Sequence, residues 1–275
     1  MSNLDGTAIS QIKNMAVAAL SLDAVEKSLC PAVILPGDFN VKSLEHLQEG
    51  RYRFRGAMDT TSIADFVKYS LQHGIEDGVS CFIDADEMAA KTIFNIGTIG
   101  DPGHADNTAT VSLKKTSPFA SLLNVNGRRQ GQKELAEWLE DWRDNLMAFD
   151  AEGNVIDIKQ AINAVRKITI EASRSADHED RDFGASRSVM ESVEAKSRDI
   201  MPAVFQFTCT PYDELSERAI KLRYSVLTGG DVPVLVLRIV QLEKLEEQIA
   251  QEFRDLLADK FEETEIQTYI GKFKA

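Results

Sequence analysis

The chain of 275 residues lacks several features that identify membrane proteins and secreted proteins. It contains no run of about eighteen consecutive apolar residues, so the sequence predicts no membrane-spanning helix. Its three cysteines are widely spaced and odd in number, which disfavours a disulfide framework and favours buried thiols in a reducing compartment. The N-terminal segment has no basic stretch of the kind that opens a secretory signal. We therefore expect a cytoplasmic protein.

The sequence also lacks the short motifs that identify many enzymes of this size. No Walker A loop, dinucleotide-binding glycine fingerprint, zinc-knuckle spacing, nucleophile elbow or HExxH helix occurs. Cys209 lies between an apolar strand and acidic residues, a setting that disfavours a reactive thiolate. These absences favour a protein that is not an enzyme, and no cofactor is predicted.

Positive charge is under-represented, because 31 basic residues face 44 acidic ones and leave a net charge of −13. This balance disfavours binding to nucleic acid or to anionic membranes, which both need clustered lysine and arginine. One stretch is an exception, since Arg51, Arg53 and Arg55 alternate there with Tyr52 and Phe54. Arginines beside aromatic rings can hold a single nucleic-acid strand. The same alternation is typical of a half-buried β-strand, which is the simpler interpretation.

Apolar periodicity predicts an α+β fold in which antiparallel hairpins form the sheets and amphipathic helices pack on their faces. The strongest hairpin signal joins residues 219–227 to 232–240 across a Gly-Gly-Asp turn. A second hairpin has residues 97–106 as its connecting loop. The clearest helical pattern covers residues 132–149, with Trp138 and Trp142 in its apolar stripe. These tryptophans are interpreted as core residues rather than as a ligand platform.

A polar break at residues 150–154 predicts the domain organisation. The segment before it, residues 1–150, is expected to form an N-terminal α+β domain. The segment after it, residues 155–275, is expected to form a C-terminal α+β domain or subdomain that contains the antiparallel hairpins and the final helix.

Five polar residues form the candidate active or metal-binding site. Asp84 and Asp86 follow a buried strand, whereas His104, Asp106 and Asn107 belong to the hairpin loop and its exit. If the strand ends meet, the carboxylates and the imidazole of the first four could bind Mg²⁺ or Mn²⁺. A metal-bound water would then make the protein a hydrolase of a phosphorylated or nucleotide substrate.

Turn formation explains the same residues without a metal. Asp, Asn and Gly are common in turns because their side chains or their backbone freedom satisfy tight geometry. Asp84 precedes a stretch that can form a helical turn and is therefore an N-cap candidate. Gly103 follows Pro102, a pair that predicts a type II turn with positive φ at the glycine. His104 and Asp106 would then pair locally and fix the loop.

The final helix, residues 241–261, carries a long apolar stripe that must be buried because packing supplies most of the stability of such a helix. Burial against this chain's own hairpin and burial against a neighbouring subunit both satisfy this requirement. The second alternative predicts a homo-oligomer whose interface is the stripe itself, Leu242, Leu245, Ile249, Phe253, Leu256, Leu257 and Phe261.

Several segments resemble an uncharacterised family of phage and prophage proteins, the YfdQ-like proteins. They are residues 81–116, which include the Gly-His-Ala-Asp-Asn turn, together with residues 132–146, 204–212 and 243–253. The resemblance implies a phage-borne cytoplasmic protein and supplies no catalytic residues. The leading hypothesis is accordingly a non-enzymatic prophage accessory protein that self-assembles and binds a host or phage protein.

Overall fold

The computed structural model describes residues 6–26, 49–51, 53–74, 78–168, 201–227 and 233–274. The chain forms two compact units, residues 1–54 and residues 55–275. Helix α1 (Gly6–Glu26) belongs to the first unit, and the remaining elements belong to the second. Cys30, Tyr52 and the Gly-Gly-Asp turn of the predicted hairpin lie outside the described residues.

A five-stranded sheet is built mainly from the N-terminal half of the second unit. Its strands lie in the order β1 (Gly56–Thr60), β4 (Asn107–Ser112), β3 (Ala89–Ile93), β2 (Ser80–Asp84) and β11 (Gln267–Ile270). The three central strands are antiparallel, whereas each edge strand runs parallel to its neighbour. The hairpin with residues 97–106 in its loop is therefore confirmed. The helical turn expected after Asp84 is wrong, because residues 89–93 pair with strands on both sides.

A six-stranded sheet contains the second predicted hairpin. Its strands lie in the order β5 (Arg129–Gln130), β10 (Val234–Ile239), β9 (Arg218–Leu227), β8 (Val204–Cys209), β6 (Leu146–Phe149) and β7 (Val155–Ile156). All of these pairs are antiparallel. The break at residues 150–154 is a tight turn in which Asp150 accepts two hydrogen bonds from Asn154. Strands before and after this turn share one sheet, and the division into two domains there stays a prediction.

The second unit also contains five α-helices among its described residues. They are α2 (Ile63–His73), α3 (Ser117–Val125), α4 (Gln132–Asp141), α5 (Ile158–Lys167) and α6 (Leu242–Phe261). Together with two mostly antiparallel sheets they confirm the α+β class. None of the helices in the described part of the chain is both long and apolar enough to cross a membrane.

The helix predicted for residues 132–149 is too long. Helix α4 ends at Asp141, a short 3-10 turn follows, and residues 146–149 form β6. Pairing with β8 outweighs the helical periodicity of this last segment. The core interpretation of the tryptophans agrees with their contacts, since Trp138 stacks 5.7 Å from Phe207 and Trp142 meets the same ring edge-on.

The apolar stripe of α6 is packed within the chain. Ile249, Phe253, Leu257 and Phe261 are buried, and the Phe261 ring lies edge-on 6.2 Å from that of Phe66 in α2. The other three stripe residues are half-buried against the same apolar cluster, namely Leu242, Leu245 and Leu256. Of the two alternatives for this stripe, the structure therefore shows burial against the chain's own core.

Candidate anion-binding face

The five residues of the candidate metal site lie at two opposite ends of the five-stranded sheet. Asp84 ends β2 and Asp86 lies in the turn that follows, whereas Asn107 begins β4 and the other two residues precede it. Asp84 pairs with Ala89 of β3, which pairs with Ser112 at the end of β4. Ser112 lies five residues from Asn107 along β4, so about 17 Å separate the two ends of this strand. No group of three or more His, Cys, Asp or Glu in the described ranges could hold a metal ion. The structure does not bring these residues together.

Asp84 instead joins the C-terminal segment to β2. Its Oδ2 lies 2.7 Å from Nζ of Lys272, which follows the edge strand β11. This hydrogen bond raises the pKa of Lys272, and the charges of Asp84, Glu87 and Asp86 act in the same direction. The arrangement accounts for an acid at position 84 without a metal.

The Gly-His-Ala-Asp-Asn turn is held mainly by Asn95. The Nδ2 of Asn95 donates to Asp106 Oδ1 at 2.8 Å, and its Oδ1 accepts from the Asn107 amide at 2.9 Å. Its backbone carbonyl also accepts from the Ala105 amide at 3.0 Å. Asn95 thereby joins the two sides of the loop, while the His104 side chain is exposed.

The expected positive φ at Gly103 is wrong. The left-handed positions of this loop are Gly97, with φ 71°, and Ala105, with φ 53°. Gly103 is required for a different reason, because a Cβ at this position would lie 2.0 Å from the backbone oxygen of Asn95. The turn is explained by close backbone approach and needs no ligand.

The two described cysteines are buried, as the sequence predicts. Burial raises the pKa of Cys81 to about 12. Burial, with a smaller contribution from the charge of Glu217, raises the pKa of Cys209 to about 11. Neither thiol forms a thiolate near neutral pH, and thiolates are the nucleophilic form.

The stretch of arginines and aromatic residues near position 53 does not form a strand in its described part. Residues 51, 53, 54 and 55 lie outside regular structure, and β1 begins only at Gly56. The boundary between the two units also falls at this stretch, after Phe54.

A cationic surface occurs elsewhere, on the six-stranded sheet. The six strands, as the structure describes them, contain five basic residues and no acidic residue. In β9 the side chains alternate, so that Lys221 and Arg223 are exposed while Ile220, Leu222 and Tyr224 are buried. One basic residue, Arg218, lies on the other side and forms an ion pair with Glu252 of α6. The remaining four share the exposed side and are here termed the basic face: Arg129, Lys221, Arg223 and Arg238.

The basic face is compact because its members lie on neighbouring strands. Arg223 and Arg238 are directly opposite each other in the β9–β10 pair, and Lys221 lies two residues from Arg223 along β9. Arg129 is paired with Val236, two residues from Arg238. Side chains directly opposite in an antiparallel pair have Cβ atoms about 5 Å apart, and like charges there are destabilising. Within the described residues, none of these four side chains forms an ion pair or a hydrogen bond.

A cavity of about 330 Å³ lies where the basic face meets the start of α6. Arg223, Arg238 and Asn126 line it together with the chain from Ile239 to Glu243. The N-cap of α6, Gln241, has a φ of 56° and makes no side-chain capping hydrogen bond. Helix N-termini attract anions through free amides and the helix dipole, which adds to the charge of the two arginines. Glu243 contributes one carboxylate to the rim.

The other half of the same sheet surface is neutral or apolar. The exposed side of β8 carries Val204, Gln206 and Thr208, all half-buried. Beyond them lie Phe149, also half-buried, and the more exposed Met147 (43%) and Val155 (65%). From β5 to β7, this side of the sheet therefore changes from cationic residues to uncharged polar and apolar ones.

The sequence contains a signal for this surface that neither net charge nor a search for basic runs detects. Alternation in β9 predicts that Lys221 and Arg223 share a face. A two-residue turn at Gly229-Gly230 would place Arg238 opposite Lys221, and the observed register places it opposite Arg223. In both registers Arg238 therefore lies opposite a basic residue of β9. Arg129 has no such signal, because its two-residue strand is recognisable only through its pairing with β10.

Comparison with known proteins shows a match to a protein family. No curated protein and no solved structure matches the chain. A family model described as "Uncharacterized conserved protein (DUF2303)" matches residues 5–273, which is nearly the whole chain. The chain therefore belongs to the DUF2303 family of conserved proteins.

Proposed function

We propose that this protein is a non-enzymatic binding protein that holds an anionic partner on the basic face. One observation carries the proposal: four cations share one side of a sheet whose described strands contain no acid. The whole chain has 44 acidic residues and only 31 basic ones, so a sheet of this composition is unusual for the molecule.

The local energetics of the basic face favour an anion. Two arginines directly opposite each other repel, and this unfavourable contribution is relieved when a phosphate or carboxylate lies between them. Arginine also presents a planar fork of donors that matches such groups bidentately. The first amides of α6 supply further donors at the same cavity.

The biological setting follows from the resemblance to the YfdQ-like proteins. We extend the proposal to a phage-borne accessory protein that acts in the cytoplasm and has a phage or host component as its partner. Self-association also belongs to the proposal, although the stripe of α6 is already covered by the chain. A different surface supports it, since the edge strand β11 is exposed, contains no charge and includes Tyr269 (50%) and Ile270 (65%). Uncharged edge strands pair readily with a second chain.

Charge reversal tests the proposed function. The probe is inorganic polyphosphate, titrated calorimetrically into the full chain, into R223E/R238E and into the control K133E/K159E. Both double variants change the net charge equally, but the control lysines lie exposed on α4 and α5. We expect R223E/R238E to weaken binding at least tenfold and the control to weaken it less than threefold. Equal losses in both variants, or no binding by the unmodified chain, would contradict the proposal.

A further inference from the structure

We infer that the anion held on the basic face is a single nucleic-acid strand. This inference rests on the proposed function and specifies the class of its partner. It depends on the order of side chains across the sheet, which combines a cationic half and an uncharged half on the same side of the sheet.

Two parallel rows repeat that order. In the first row Lys221 is paired with Gln206, which is paired with Met147. In the second row Arg238 and Arg223 are followed by Val204, Phe149 and Val155, listed in order across five strands. The rows are two residues apart along the strands, about 6.6 Å. Each row can therefore take one unit of a chain that carries an anion on one side and a flat apolar group on the other.

Nucleotides have this arrangement, because each phosphate is followed to one side by a base whose faces are apolar. With strands about 4.8 Å apart, the step from β9 to β6 spans about 10 Å, so a base could reach Met147 and Phe149 while its phosphate stays near Lys221 and Arg223. Open sheet faces bind single strands in this manner, with cations along the backbone and stacking under the bases.

The uncharged half of the surface distinguishes the partner classes. A duplex keeps its base faces stacked inside and would contact only the cations, which leaves Met147, Phe149 and Val155 without a contact. An acidic protein segment needs the cations but has no repeating flat group for the second half. A single strand uses both halves, and we therefore favour it over these two.

The acidic character of the rest of the chain does not prevent this contact. At an ionic strength of about 0.1 M the Debye length is about 10 Å, so charges on distant surfaces are largely screened. The contact is then governed by the four cations and the groups beside them, with Glu243 at the rim as the opposing charge. Strong dependence on salt follows, because released counterions drive such binding.

The test is fluorescence anisotropy of a labelled twenty-residue oligothymidylate, measured between 50 and 300 mM KCl with the full chain. Four cationic side chains in contact with the backbone predict a slope of log K against log salt of about −2.8, from about −0.7 for each neutralised charge in a single strand. R223Q and R238Q should each reduce the steepness by about 0.7. Phe149→Leu removes the ring with little change in volume and should lower affinity about fivefold or more without changing the slope. Circular dichroism checks that each variant remains folded.

Comparison probes separate the possible failures. Binding of polyphosphate without binding of oligothymidylate would overturn this inference and leave the proposed function intact. Binding of polyglutamate that depends on Arg223 and Arg238, with no binding of the oligonucleotide, would assign the surface to an acidic protein. A duplex that binds as tightly as the single strand, or a K133E/K159E control that loses affinity as R223Q does, would also overturn it. Failure of every probe would remove both proposals.

Discussion

At the residue scale, individual side chains of the Gly-His-Ala-Asp-Asn turn have structural tasks. Asn95 accepts from the amides of Ala105 and Asn107 and donates to the Asp106 carboxylate, and Gly103 allows the backbone to approach the Asn95 carbonyl. The sequence predicted a turn here from its Pro, Gly, Asp and Asn. It could not predict that Gly103 serves close approach rather than positive φ, because that contact joins two sides of the hairpin loop.

Substitution of Gly103 tests this explanation. Gly103→Ala places a Cβ against backbone, which cannot yield as a flexible side chain can, and we expect a loss of about 2–3 kcal/mol in the free energy of unfolding. The control is Gly100→Ala in the same loop, where an added Cβ meets nothing within 4 Å and φ is not positive. Urea unfolding measures both. Similar stabilities for the two variants would refute the close-approach account.

At the element scale, tertiary pairing decides where the sequence pattern is ambiguous. Residues 146–149 continue a helical stripe, yet they form β6 because β8 and β7 pair with them on both sides. The β9–β10 hairpin was predictable because alternation and turn residues agree over a long stretch. For α6 the stripe itself was predictable, but what covers it depends on distant residues such as Phe66.

The link between α6 and β9 gives a prediction that depends on pH. Glu252 is partly buried, which raises its pKa, but hydrogen bonds from Ser216 and the ion pair with Arg218 lower the pKa of this carboxylate on balance. Because the pKa of Glu252 is lower in the folded state than the unfolded-state pKa of 4.5, the ionised carboxylate stabilises the fold above pH 4.5. This stabilisation is lost as the pH falls through the folded-state pKa. Glu252→Gln should therefore cost about 1–2 kcal/mol of unfolding free energy at pH 7.

The difference from the unmodified chain should shrink as the pH falls from 4.5 through the lowered folded-state pKa, where the carboxylate of the unmodified chain becomes protonated. Urea unfolding at a series of pH values measures it, with the exposed Glu246→Gln of the same helix as control. A cost for Glu252→Gln that stays constant from pH 7 to pH 3 would rule out the ionised pair as its source.

At the scale of the whole molecule, net charge was misleading about the surface. The value of −13 is correct for the chain, but the acids are absent from the described strands of one sheet, where the cations gather instead. Only strand pairing places residues 129, 223 and 238 side by side. In the same way the candidate metal ligands were expected to meet at one strand end, and the register of β2, β3 and β4 separates them.

Self-association is also a property of the whole molecule. If β11 forms the contact between chains, sedimentation at micromolar concentration should give a mass above the 30.5 kDa of one chain. Ile270→Lys places a charge on that edge strand and should restore 30.5 kDa, since edge lysines oppose strand pairing. Ile99→Lys, at an exposed loop position outside both sheets, is the control. A 30.5 kDa species for the unmodified chain would remove self-association from the account.

Locating the bound anion tests directly whether the basic face is the binding site. Amide chemical shifts of isotope-labelled protein, followed during titration with polyphosphate, report which elements contact it. We expect the largest shifts on β9, on β10 around Arg238 and on the first turn of α6, and we expect R223E/R238E to abolish them. Shifts centred on the loop of His104 or on the turn of Asp86, with β9 and β10 unchanged, would contradict it.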